Sequence, residues 1–72
     1  MRVSILQTDK GYHPMASCLL ITLDGSIIDD VLTADSETGE VLRYDIESDE
    51  LELLTGFVNI YTPSGLHFHR LN

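Results

Sequence analysis

Turn-forming residues recur about every eight to twelve positions along this chain, and short runs of Val, Ile, Leu, Thr, Tyr and Phe lie between them. That spacing favours strands over helices, because these residue types suit a pleated, half-buried surface. The spacing predicts a first strand over residues 1–8, with Val3 and Ile5 on one face and Ser4 and Leu6 on the other. A loop follows over 9–14, marked by Gly11 and Pro14. Residues 15–23 form the most continuously apolar run and read as a central strand covered on both sides. Asp24-Gly25 is a hairpin signal, since both positions tolerate positive φ.

Residues 26–34 allow two readings. Ser26 can cap a short helix with Ile27, Ile28, Val31 and Leu32 on one face. Alternatively, a short return strand ends at a kink at Asp29-Asp30 and a second strand runs over 31–34. The strand reading is preferred, because isolated helices this short are marginal in water. Next comes the acidic stretch TADSETGEVLRYD. Asp35 can bond its own backbone to start a turn, and Gly39 can supply the positive φ that closes it.

Residues 41–47 read as a half-exposed strand, with Leu42, Tyr44 and Ile46 on the core face and Val41, Arg43, Asp45 and Glu47 on the other. An acidic turn over 47–50 leads to a long strand over 51–61. Its alternation slips at Leu53-Leu54, and Gly56 marks a bulge at a corner. A turn over 62–65 and a last strand over 66–71 complete the chain. The fold expected is all-β and a single domain: a small antiparallel meander curled into a barrel or a two-layer sandwich. The expected core is Val3, Ile5, Cys18, Leu20, Leu23, Val31, Leu42, Tyr44, Ile46, Leu53, Val58, Ile60 and Phe68.

A chain of 72 residues buries only about 60% of the surface its unfolded form exposes, so its core is marginal. Cys18 is the only cysteine. No intrachain disulfide can form, and Cys18 is expected to act as a small buried hydrophobe, which suits a reducing compartment. No signal peptide is evident in residues 1–6, and the longest apolar run, residues 18–23, falls far short of the ~20 residues that span a bilayer. A soluble protein that is not exported by the usual route is expected.

The formal net charge is −8, which disfavours nucleic acid and anionic membranes as partners. The charge is uneven. Residues 24–52 hold eleven of the twelve acids against Arg43 alone, while Arg2, Lys10 and Arg70 lie outside.

Sites for chemistry are scarce. Counting from Asp35, a calcium loop needs Gly at the sixth position and Glu at the twelfth. Glu40 and Ile46 stand there instead. His67 and His69, two apart on a strand, share a face and are weak metal-ligand candidates if His13 or a carboxylate comes near. The plainer reading, a polar strand face near the C-terminus with Phe68 turned inward, is preferred because it also accounts for Phe68. No nucleophile sits in a G-x-S-x-G turn and no Gly-rich phosphate loop is present. Neighbouring acids such as Asp29-Asp30 would point to opposite faces of a strand. No catalytic residue, metal or cofactor is assigned, and no enzymatic activity is expected.

Two features remain. The acidic middle, read over Asp35, Glu37, Glu40, Arg43, Asp45 and Glu52, can dock on a basic protein or imitate nucleic acid with spaced carboxylates. Sheet edges at the two weakly basic ends can add to a partner's sheet or to a second copy.

The run ITLDGSIIDDVLTADSETGEVLRYDIE, with LLTGFVNIY after it, resembles small uncharacterised proteins encoded in tailed-bacteriophage and prophage genomes. The matching positions are Leu23, Asp24, Gly25, Val31, Ala34, Asp35, Glu37, Gly39, Val41, Tyr44, Gly56, Val58 and Ile60, within residues 21–61. Those proteins carry a longer loop where residues 44–56 are short here, so no function of that loop is implied. The resemblance supplies no catalytic residues. It implies a phage-type protein of the virion or host cytoplasm that binds proteins without chemistry. The expected role is a virion structural or accessory component. The alternative is an acidic inhibitor of a host defence or nucleic-acid enzyme. The partner expected is therefore a phage structural protein or a basic host protein, and a homo-oligomer is also open to the chain.

Overall fold

The structure is a computed structural model, and it describes residues 1–69. Seven strands are present among them: β1 (Arg2–Ser4), β2 (Leu20–Leu23), β3 (Ser26–Ile28), β4 (Val31–Asp35), β5 (Glu40–Asp45), β6 (Glu50–Thr55) and β7 (Val58–Tyr61). They form an antiparallel four-stranded sheet in the order β1-β4-β5-β6 and an antiparallel three-stranded sheet in the order β3-β2-β7. The protein is all-β. The described strands form two layers and no closed barrel. β4, β5 and β6 make a meander, while β1–β4 and β2–β7 join strands distant in sequence.

The turns follow local chemistry. Leu23 pairs with Ser26 across Asp24 and Gly25, which adopt φ of 51° and 85°. Two positive φ values are what a two-residue hairpin loop requires. Residues 26–34 take the strand reading: β3, a kink with Asp30 at φ 58°, then β4. Asp35 Oδ1 accepts the amides of Glu37 and Thr38 at 2.9 and 3.2 Å. Gly39 closes that turn at φ 76°, and a side chain there would also stand 2.5 Å from the Gly56 carbonyl oxygen. Gly56 lies at the corner where the chain leaves β6 in one sheet for β7 in the other, so the long strand expected over 51–61 is two strands.

The core lies between the sheets. Val3, Ala34 and Val41 come from the larger sheet, and Ile21, Val58 and Ile60 from the smaller. In the larger sheet Val3, Ala34, Val41 and Leu54 form one cross-strand row. Residues directly opposite share a face, so that row defines the inner face. Leu42 and Leu53, paired with Thr33 and with each other, lie on the outer face, as does the Tyr44–Leu51 pair.

Several expectations are corrected here. Val41, not Leu42, Tyr44 and Ile46, is the buried residue of its strand; Ile46 is 67 % exposed and Leu53 is 59 % exposed. The physical reason is registry, since Val41 stands opposite Ala34 and Leu54, and the strand lengths leave part of the larger sheet uncovered. β5 and β6 have six residues each, while β2 and β7 have four and β3 has three. The smaller sheet covers only part of the larger, so Arg43 can occupy the inner face beyond it. Ile21, not Leu20, faces inward in β2.

The expected strand over 1–8 stops at Ser4, and Ile5 is exposed. There Ser4 Oγ accepts the Leu6 amide at 3.0 Å, a local bond that competes with strand pairing. The expected strand over 15–23 starts only at Leu20. Successive turn bonds, Ala16 to His13, Cys18 to Met15 and Leu19 to Ala16, wind residues 16–18 into a short 3-10 turn. They leave Cys18 exposed rather than buried. Phe68, Leu23 and Val31 pack against the core as expected. The last strand expected over 66–71 is reduced to a single bridge between Tyr61 and His67 in the described part; residues 70 and 71, and Arg70 with them, lie outside the described residues.

Candidate functional site

A sheet edge is an unpaired row of N–H and C=O groups, and folded proteins usually cover or shorten it. The two sheets here present four edges, at β1, β6, β3 and β7. The β1 edge is occupied by its own loop: the Ser4 amide donates to the Gly11 carbonyl at 3.0 Å, and the His13 amide donates to the Ser4 carbonyl at 3.2 Å. Arg2 clamps that loop with two hydrogen bonds to Asp9, at 2.9 and 2.8 Å, and lies 3.7 Å from Asp35. The β7 edge is occupied as well, because the Phe68 amide donates to the Ile60 carbonyl at 3.0 Å. β3 is three residues long and ends in a kink. β6 is twice that length and pairs with β5 alone among the described strands.

The free edge therefore belongs to the acidic middle of the chain. This reverses the expectation that the edges at the two ends are open for docking. Along β6 the side chains alternate between two chemistries. Leu51 and Leu53 stand on the outer face, 61 % and 59 % exposed, beside the half-buried Tyr44 and Leu42. Glu50 and Glu52 stand on the inner face, Glu50 exposed and Glu52 half-buried. Glu52 lies 3.7 Å from Arg43, its cross-strand partner. Glu50 faces Asp45, a like-charged pair, and such pairs are destabilising. Among the described residues, neither Asp45 nor Glu50 takes part in an ion pair.

The acidic residues singled out by sequence are thus divided among different tasks. Asp35 is 8 % exposed and holds the β4–β5 turn. Burial raises its carboxyl, but the Glu37 and Thr38 amides outweigh this, with the charge of Arg2 adding to them, and the net shift is below the usual 3.8. Glu37 is at the tip of that turn, 3.4 Å from the Met1 amino group. Glu40 is on the outer face, opposite Asp35 and Thr55. Arg43 and Glu52 meet on the inner face. Asp45 accepts the Glu47 amide at 3.1 Å. Two groups come together: Asp35, Glu37 and Glu40 at the β4–β5 turn, and Arg43, Asp45 and Glu52 on the inner face, with Glu50 as the member sequence reasoning left out. The exposed leucines of β6 were also missed, because Leu53 in an apolar run reads as core and alternation alone does not say which face is inward.

The metal reading gains no third ligand. His67 lies against Tyr61 with ring centroids 4.8 Å apart, and His69 is exposed. His13 and Phe68 meet in a T-shaped contact with ring centroids 5.2 Å apart, and His13 Nδ1 accepts the Met15 amide. No group of three metal-ligating side chains occurs among the described residues. None of the helices among those residues is long and apolar enough to cross a membrane. Comparison with protein-family models, curated proteins and solved structures finds no match.

Proposed function

We propose that this chain is a non-enzymatic protein-binding module that takes up a strand of its partner at the open edge of β6. The observation that carries the reading is the contrast among the four edges: β1 and β7 are occupied, β3 is short, and six-residue β6 has no partner but β5 among the described residues and lies beside two exposed leucines. Main-chain hydrogen bonds along such an edge supply affinity, and alternate side chains supply specificity. The resemblance to phage-encoded proteins makes a structural or accessory component of a virion the most concrete form of this role, acting in the particle or in the host cytoplasm.

The competing role, an inhibitor imitating nucleic acid, requires carboxylates free to replace phosphates. Asp24 accepts the Phe57 amide, Asp35 and Asp45 hold turns, and Glu52 faces Arg43, so much of the acidic set is already engaged.

The test is a pull-down from phage-infected cells with the wild-type chain and a Leu51→Lys/Leu53→Lys variant, washed at low and high salt, with bound proteins identified. Capsid or tail proteins held by the wild type, less firmly at high salt than at low, and lost by the variant are the expected result. A nucleic-acid enzyme retained equally by both, and released by salt, overturns the reading.

A further inference from the structure

We infer that the strand taken up by β6 is basic: it carries apolar side chains on its outer face and Lys or Arg on its inner face, in strict alternation. The inference rests on the strand-addition reading and deepens it by naming the chemistry of the partner.

The register of the sheet sets the pattern. A strand added beside β6 places its side chains directly opposite those of β6, face to face. On the outer face it meets Leu51 and Leu53, the exposed ends of the rows Tyr44–Leu51 and Thr33–Leu42–Leu53. Apolar side chains there extend both rows and remove the leucines from water. On the inner face the new strand meets Glu50 and Glu52. The Asp45–Glu50 pair has two carboxylates opposite each other, and among the described residues neither forms an ion pair; Arg43, next along the same face, lies 3.7 Å from Glu52 instead. A Lys or Arg opposite Glu50 turns a repulsive pair into a three-member ladder with the cation at one end. A cation opposite Glu52 extends the Arg43–Glu52 pair in the same way. Laid antiparallel beside β6, the partner carries apolar, basic, apolar, basic residues opposite Leu53, Glu52, Leu51 and Glu50.

β6 of a second copy does not meet these demands. β6 has no Lys or Arg, so β6 against β6 offers no cation to either glutamate. Each copy also carries a net charge of −8, which opposes close approach.

The experiment uses the full chain, labelled for amide NMR, and three short blocked peptides. One alternates Val and Lys, one alternates Val and Glu, and one has Val and Lys in two separate blocks. The expected result is that the alternating Val/Lys peptide shifts the amides of residues 50–55 and weakens as salt is added, while the other two do not bind there. Glu50→Lys is expected to weaken the Val/Lys peptide by roughly fivefold or more, in line with loss of one cross-strand ion pair, and to admit the Val/Glu peptide. Glu50→Gln, which adds no charge, is expected to fall between.

Equal binding of the Val/Lys and Val/Glu peptides at residues 50–55 overturns the basic partner and leaves strand addition standing. Shifts at residues 50–55 that depend on protein concentration and on no peptide overturn it in favour of a second copy. If no peptide and no dilution series moves these amides, strand addition itself fails.

Discussion

Arg2 and Asp9 decide whether one end of the larger sheet is sealed. The two hydrogen bonds from the Arg2 guanidinium, and after them the Gly11 amide, hold the Asp9 carboxyl at about 2 instead of 3.8. A carboxylate whose pKa falls on folding stabilises the fold above its unfolded value and loses that contribution as pH falls through its folded value. The Asp9 contribution is thus complete above pH 3.8 and is lost on the way down to about 2. Asp35, lowered by the neighbouring turn amides, acts in the same direction. In Asp9→Asn the melting temperature is expected to depend less steeply on pH across this window, as followed by circular dichroism. Curves of equal slope for wild type and variant would show that the clamp carries no pH dependence. Because the clamp holds residues 11–13 against β1, Asp9→Asn also tests what keeps that edge closed.

At the scale of the strand, the two faces of β5 and β6 make opposite demands. Val41 is fully buried between the sheets, whereas Leu53 stands mostly in water on the far face. Truncating a buried aliphatic side chain leaves a cavity, so Val41→Ala is expected to destabilise by about 2 kcal/mol. Leu53→Ala is expected to change stability by less than about 0.5 kcal/mol, as surface substitutions usually do. Denaturant titration of both variants measures the difference. A cost for Leu53→Ala equal to that for Val41→Ala would mean that Leu53 is core and that β6 is not the docking strand. The same pair separates stability from binding: Leu53→Ala is expected to keep the fold and to weaken partner capture.

For the whole molecule, repulsion between like charges is the main force outside the core. A net charge of −8 on 72 residues makes the compact state repel itself. Four ion pairs occur among the described residues, and three of them include Arg2 or Arg43. The Arg2 pairs are partly buried and the other two lie nearer the surface, where a pair contributes little, so repulsion is expected to outweigh attraction. Salt screens repulsion over about 8–10 Å, and the melting temperature is expected to rise between low and moderate sodium chloride. A fall would show that the few attractive pairs dominate. A basic partner would act in the same direction as salt, which ties the stability of the free chain to the surface it uses.

Much of this was legible in the residues themselves. The all-β class, the Asp24-Gly25 hairpin, the kink after Ile28, the Asp35–Gly39 turn and the corner at Gly56 all follow from local chemistry, namely turn residues and β-branched runs acting over a few positions. The inward direction of Phe68 and the core roles of Val3, Val58 and Ile60 were legible too. Three matters were decided only by tertiary structure. Val41 rather than Leu42 faces the core because registry with Ala34 and Leu54 sets the face, and alternation alone is symmetric between two faces. Cys18 is exposed because a tight turn, not a strand, precedes β2. The open edge lies in the acidic middle because the loop at residues 11–13 and the segment near Phe68 fold back over the edges at the two ends. These closures are short in sequence, Ser4 to Gly11 and His13 and Ile60 to Phe68, but they are made by main-chain groups of loops, which no alternation of side chains announces.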